Sequence, residues 1–277
     1  MRLSCADRVL DLSRPVVMGV LNITSDSFSD GGRYRSFEAA LAHARAMVAA
    51  GAAIIDVGGE STRPGAEPVP VQEELDRVLP VIEAMRRELD AVISIDTMKP
   101  QVMTAAVGAG AGLVNDVLAL QAPGAVAAVA ASRAAVCLMH MQGTPQTMQS
   151  APHYDDVVAE VCAFLRQRAE TCVAAGIAPD RIALDPGFGF GKTMQHNLQL
   201  LAGLSQLADG RLPLLVGLSR KSMLGKLLGR AVDQRLAGSL ALATIAALNG
   251  ARIIRSHDVA ETRDAVAVAW AARTGET

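Results

Sequence analysis

The chain of 277 residues has no surplus of positive charge: 26 Lys and Arg face 28 Asp and Glu, for a net charge of −2. That balance excludes the broad basic footprint of a nucleic-acid binder, so any phosphate binding must be local. Long apolar runs are missing too. Hydrophobic residues make up 51% of the chain, yet Gly, Arg, Asn or Asp interrupts the longest stretches well before the ~20 residues a membrane span requires. The opening M-R-L-S-C-A-D-R-V-L-D-L alternates and carries acids, unlike the charged-then-apolar plan of a secretory signal, so a cytoplasmic location is expected. Cysteine is scarce. Cys5, Cys137, Cys162 and Cys172 show no C-x-x-C spacing, which argues against a disulfide framework or a zinc site, and Cys137 reads as a small hydrophobe within an apolar strand.

What the chain does contain is a short apolar run, repeated eight times, that ends in residues able to do chemistry and is followed by a helical pattern. The runs end at Asn22, at Glu60-Ser61-Thr62-Arg63, at Asp96, at Asn115, at His140, at Asp185, at Ser219-Arg220-Lys221 and at Arg255-Ser256-His257. Strands buried on both faces and alternating with helices suit a parallel sheet, and eight units predict an α/β fold, a closed (β/α)8 TIM barrel forming one domain over 1–277. Its active site would lie at the carboxyl ends of the strands, so residues from 22 to 257 would converge on one mouth. Residues 3–12 read as a short N-terminal β-hairpin closing the bottom. Apolar periodicity predicts helices near 36–50, 71–89, 99–109, 123–131, 155–175, 194–208, 221–228, 234–249 and 258–273.

Asp258 with Glu261 forms a D-x-x-E capping signal for the last helix. The segment from Leu236 to Leu248 is apolar or small on nearly every face, so it is expected to be buried in a homodimer contact. Two Gly- and Pro-rich loops, 24–34 and 59–70, are placed to act as lids at the mouth.

The segment D-P-G-F-G-F-G-K-T (185–193) imitates a phosphate-binding P-loop but has Pro186 where the first Gly belongs. What remains is a carboxylate at a strand end, three permissive glycines, and Phe188 and Phe190, either of which alone reads as a core side chain. Asp96, Asn115 and Asp185 each read equally well as turn or cap residues. Together they make an acceptor-rich surface suited to a flat heterocycle with several N–H donors, such as a pterin, or alternatively to magnesium. Arg63, Arg220, Lys221, Arg255 and His257 fall at or just after strand ends two, seven and eight, and barrels often bind phosphate at the loops after the last two. Asn22 offers an oxygen for a phosphate-bound Mg²⁺. His140 reads as a structural histidine satisfied by backbone, and the methionines as core filler except Met139 at the mouth.

Taken together, M-G-V-L-N-I-T-S-D-S-F-S-D-G-G (18–32), D-V-G-G-E-S-T-R-P-G-A (56–66), S-I-D-T (94–97), N-D-V (115–117), 185–193, G-L-S-R-K-S (217–222) and R-S-H-D-V (255–259) resemble the dihydropteroate synthase family. The resemblance implies a TIM barrel that joins 6-hydroxymethyl-7,8-dihydropterin diphosphate to p-aminobenzoate and is a target of sulfonamides. It implies that Asp96, Asn115, Asp185, Lys221 and Met139 hold the pterin with Arg255 against the ring, and that Asn22, Arg63, Arg255 and His257 bind diphosphate with Mg²⁺. Thr62, Pro64, Phe190, Ser219 and Lys221 would shape the p-aminobenzoate site, with Phe28 brought in by the first loop. One departure is Ser256, where the family more often has an apolar residue; strand alternation turns it away from Arg255 and His257, so only a packing effect is expected. A catalytically silent pterin-binding paralogue is the main competing reading. A folate-dependent methyltransferase is less well matched, having no use for S-T-R-P-G, S-R-K and R-x-H.

Overall fold

The computed structural model describes residues 1–23, 33–62, 65–208 and 210–275, without the side chains of 33–35. Phe28, Arg63 and Pro64 therefore lie outside the described residues, as does most of the first Gly-rich loop. The chain opens with the expected antiparallel hairpin, β1 (Arg2–Cys5) and β2 (Arg8–Asp11). Eight parallel strands follow: β3 (Val16–Asn22), β4 (Ala52–Gly58), β5 (Val92–Asp96), β6 (Leu113–Asp116), β7 (Ala135–Met139), β8 (Ile182–Asp185), β9 (Leu215–Gly217) and β10 (Ile253–Ser256). They pair in the order β8-β7-β6-β5-β4-β3-β10-β9, and an isolated parallel bridge between Leu184 and Leu214 brings the two edges together, closing the barrel.

The side-chain period of two sorts each strand into an outer and an inner file. Outward residues such as Val17, Ile55, Ile93, Val114, Val136, Ile182, Val216 and Ile254 pack against the helices in the larger core. Inward residues at the amino-terminal ends, Met18, Ile54, Val92, Leu113, Ala135, Ala183, Leu215 and Ile253, meet Leu3, Cys5, Leu10 and Leu12. The hairpin is thus the plug of the barrel bottom. Gly112 allows the closest approach, since a Cβ there would lie 2.9 Å from the Cys5 carbonyl oxygen.

The helices are α1 (Arg33–Ala49), α2 (Val71–Glu88), α3 (Pro100–Ala109), α4 (Ala125–Ala130), α5 (Val157–Ala174), α6 (Met194–Ala202), α7 (Leu204–Leu207), α8 (Ser222–Leu228), α9 (Leu236–Leu248) and α10 (Val259–Thr274). The helix expected over 194–208 is two, broken at Gly203, where a Cβ would lie 2.7 Å from a Val158 methyl. Asp258 does hold the N-cap position of α10, but its side chain makes no cap hydrogen bond because Arg220 takes both carboxylate oxygens. Ser256 replaces part of that function. Its hydroxyl is 2.8 Å from the Thr262 hydroxyl and accepts the Asp258 N–H, so it ties β10 to α10 rather than merely filling space.

Candidate active site

Above the apolar plug, the same inward file turns polar: Asp56 and Gly58 on β4, Ser94 and Asp96 on β5, Asn115 on β6, Met139 on β7, Asp185 on β8 and Arg255 on β10. Arg255 is the hub. Its Nε donates to Asp56 Oδ2 at 2.6 Å and its Nη2 to Asp96 Oδ2 at 3.0 Å, while Asn115 Nδ2 reaches the same Asp56 oxygen at 3.1 Å. Asp56 is fully buried, and its Oδ1 has no hydrogen-bond partner among the described residues. On the neighbouring wall, Gly187 N–H donates to Asp185 Oδ1 at 2.7 Å.

Burial dominates the electrostatics here. It lifts the Asp96 carboxyl to about 7, with the nearby Asp56 carboxylate adding to the rise and Arg255 opposing it. Asp185 rises to about 6 for the same first reason, opposed by the Gly187 N–H and by Lys221, Lys192 and Arg255. Burial also works against the Arg255 charge, but Asp56 and Asp96 outweigh it and hold the guanidinium firmly protonated.

The opposite rim belongs to β9, β10 and the loop after β8. Ser219 Oγ lies 3.0 Å from His257 Nδ1 and accepts the His257 backbone N–H, which binds the two strand ends together. Lys221 Nζ sits 4.3 Å from the centroid of the Phe190 ring. Phe190 packs with Met139, Met141, Met148 and Val117 as an apolar wall, whereas Phe188 is a core residue. Asn22 is exposed at the end of β3, and Thr62 is half-buried in the loop after β4.

Two expectations change. Arg220 is not a rim cation, because its guanidinium is paired with Asp258 and its backbone, at φ +56°, is fixed by an N–H bond to Ser239 Oγ. His140 is more than a backbone-satisfied histidine: its Nδ1 lies 2.9 Å from Lys192 Nζ, and burial pushes its ring down to about 3, so it is neutral. Three contributors were missed from the sequence. Asp56 could have been found as a charge inside the apolar run A-I-I-D-V-G, where only the barrel interior can receive it. Lys192, 3% exposed, carries no local signal beyond the discarded P-loop match. Lys99 joins Glu60 at 2.5 Å and also Glu74, and Glu60 accepts the Val69 N–H, so one carboxylate clasps both ends of the 59–70 loop.

A magnesium ion that keeps its waters and shares substrate phosphates needs one or two protein oxygens rather than a cage. Asn22 fits that demand, with its Oδ1 beside Gly58, where a Cβ would stand 3.3 Å away. Among the described residues no group of three or more His, Cys, Asp or Glu is placed to hold a metal.

Known proteins share the sequence and the fold of this chain. The model of the family described as pterin binding enzyme matches residues 18–257. Dihydropteroate synthase of Escherichia coli (strain K12) is 54% identical over 268 residues, covering 97% of this chain and 95% of that protein. The crystal structure of Yersinia pestis dihydropteroate synthase with a sulfonamide drug superposes with a TM-score of 0.94 at 55% identity, covering 99% of this chain and 100% of that one. The Xanthomonas albilineans enzyme in complex with 7,8-dihydropteroate gives 0.89 at 50% identity, with 99% of each chain covered. The chain belongs to the dihydropteroate synthase family of pterin binding enzymes.

Proposed function

We propose that the barrel mouth joins 6-hydroxymethyl-7,8-dihydropterin diphosphate to p-aminobenzoate, releasing 7,8-dihydropteroate and diphosphate. The observation that carries this reading is the set of acceptors at neighbouring strand ends, half-buried Asp96 on Arg255, buried Asn115 joined to Arg255 through Asp56, and buried Asp185, at a barrel mouth whose other side holds Ser219, Lys221 and His257. The pterin's ring N–H and amino donors meet Asp96, Asn115 and Asp185, with Met139 and the Arg255 guanidinium against its faces. Lys221 stands between the two substrates and Phe190 walls the p-aminobenzoate ring, joined by Thr62, Ser219, Pro64 and Phe28. Asn22, Arg63, Arg255 and His257 hold the diphosphate.

The arylamine nitrogen forms a bond to the exocyclic methylene carbon as the carbon–oxygen bond to diphosphate breaks, and the amine then loses a proton. The electron-rich pterin supports positive charge at that carbon, so bond breaking runs ahead of attack and fixed charges do most of the catalysis. Asp56 acts one step back by setting Arg255 and Asn115. Mg²⁺, held by Asn22 and the diphosphate oxygens, would supply charge neutralisation on the leaving group. The two loops exclude water that would trap the cation. Sulfonamides, as analogues of the arylamine, would compete at the Phe190 side.

The test is dihydropteroate formation by purified protein given both substrates and Mg²⁺, with a chelator control. Turnover requiring all three supports the assignment; pterin binding without turnover would instead favour the silent paralogue.

The same reading includes a homodimer in the cytoplasm. On α9 the residues Ala237, Ala241, Ile245 and Leu248 form an exposed apolar stripe, with Leu227 and Leu228 of α8 exposed nearby in sequence order. A second copy is the proposed cover for this stripe. Among the described residues no helix is long and apolar enough to cross a membrane.

A further inference from the structure

The segment 187–191 wraps around a single buried amine. Lys192 Nζ contacts Gly187 O at 3.0 Å, Phe190 O at 3.0 Å and His140 Nδ1 at 2.9 Å, with His140 O further off at 3.4 Å. An ammonium has three donors, and these three near acceptors match them. No carboxylate lies within ion-pair distance of Lys192 among the described residues. Burial pushes the amine down to about 7, helped by Lys221 and opposed by Asp185. Its charge therefore opposes folding, and what it contributes is geometry.

That geometry is specific to the site. Gly187, Gly189 and Gly191 all have positive φ, at 69°, 82° and 61°. Two of them press against the end of β7 and the residues beyond it: a Cβ on Gly187 would fall 1.9 Å from His140 O, and one on Gly191 2.5 Å from Gln142 O. The segment is also held from outside by Tyr154 Oη to Gly191 O at 2.8 Å, Gln149 Nε2 to Gly189 O at 2.7 Å and Gly189 N to Asn197 Oδ1 at 2.7 Å. Only the carbonyls of Gly187 and Phe190 turn inward to the amine, and Phe190 is the residue whose ring meets Lys221.

We propose that Lys192 is a positioning residue of the p-aminobenzoate site: its buried amine is the internal anchor that fixes the Phe190 backbone, and through it the ring that walls the arylamine against Lys221. This rests on the dihydropteroate synthase reading of the same site. Replacing Lys192 by Met leaves Phe190 O without its donor and Gly187 O with only the Phe190 N–H, 3.1 Å away, so the Phe190 carbonyl turns toward other partners and carries its ring out of place. Asp185 keeps its Gly187 N–H, a contact two residues away along the chain that does not need the amine.

Steady-state kinetics of Lys192→Met with both substrates, beside thermal unfolding, test the role. The expected result is a KM for p-aminobenzoate raised about tenfold or more, the equivalent of about one lost buried hydrogen bond, with the KM for the pterin diphosphate far less affected. Lys192→Gln, which restores donors, should recover part of the loss. A parallel rise in both KM values, or a lowered Tm with both KM values unchanged, would show a merely structural lysine and overturn the proposal. Should Lys192→Met fail to fold, His140→Leu removes one acceptor while leaving the amine; a selective rise in the p-aminobenzoate KM supports the role and unchanged kinetics refutes it. A wild-type protein without turnover would overturn the reaction as well, whereas an active wild type with unselective variants would remove only Lys192.

Discussion

Asp185 is buried to 6% exposure at the end of β8, and a carboxylate there is stabilised by its neighbours less than water would stabilise it. Its folded value of about 6 lies above the ordinary 3.8, so between those values the native state binds more protons than the unfolded chain. By linkage, its contribution to stability is present below the unfolded value and is lost as pH rises through the folded one, with a cost at neutral pH of roughly 3 kcal/mol. Asp185→Asn is therefore expected to raise Tm at pH 8 and to lose that gain by pH 4, while weakening pterin binding at least about tenfold. Calorimetry at the two pH values with a pterin titration checks this; the same Tm change at both would contradict the electrostatic cause. Asp96, Asn115 and Asp185 were legible because each closes an apolar run. Asp56 leaves a local trace as a charge inside an apolar run, but its partner Arg255 and the partners of Lys192 and Arg220 lie 199, 52 and 38 residues away respectively, and local pattern carries no record of such distances.

Elements were legible where burial imposes a period. The hairpin, the strands and most helices follow from alternation and apolar spacing, while the break at Gly203 depends on Val158, a contact between helices that spacing does not encode. At the bottom, Leu3 of β1 is fully buried against the inner file, far from the mouth. Leu3→Ala should cost about 2–5 kcal/mol of stability and leave kcat/KM unchanged at a permissive temperature, as barrel bottoms serve stability and tops serve chemistry. A fall in kcat/KM with little loss of Tm would reverse that division. Between β9 and α10, Arg220 combines a left-handed backbone with its pair to Asp258. Arg220→Ala loses the pair and keeps the strained conformation, whereas Arg220→Gly loses the pair and relieves it, so the Gly variant should be the more stable by about 1 kcal/mol. Chemical denaturation of the two variants decides it, and an Ala variant equal to or better than Gly would count against strain at this position.

For the whole molecule, the sequence predicted the order of units and the face on which the polar strand-end residues gather, while the identity of neighbours across the mouth had to await the closed ring. The apolar stripe on α9 was anticipated as buried; in the single chain its inner side packs on α8, where a Cβ on Gly238 would lie 2.7 Å from a Leu224 methyl, and its outer side stays open at Ile245, 42% exposed. Ile245→Lys should convert a dimer to monomer in sedimentation velocity while leaving pterin binding intact. A wild-type protein that sediments as a monomer at all concentrations would refute the proposed contact.

The ring itself meets along one short joint, the Leu184–Leu214 bridge, supported by the Leu184 N–H on Pro213 O at 2.9 Å. Asp185 follows directly on one side of that joint, and Ser219 and Lys221 follow β9 on the other. The candidate site thus spans the joint at which the ring closes. If the joint loosened, the proposed pterin and arylamine sites would separate together, and a ligand bridging them would act as a clamp across it. On the proposed reading, the two substrates together would hold the β8 and β9 sides of that joint to one another.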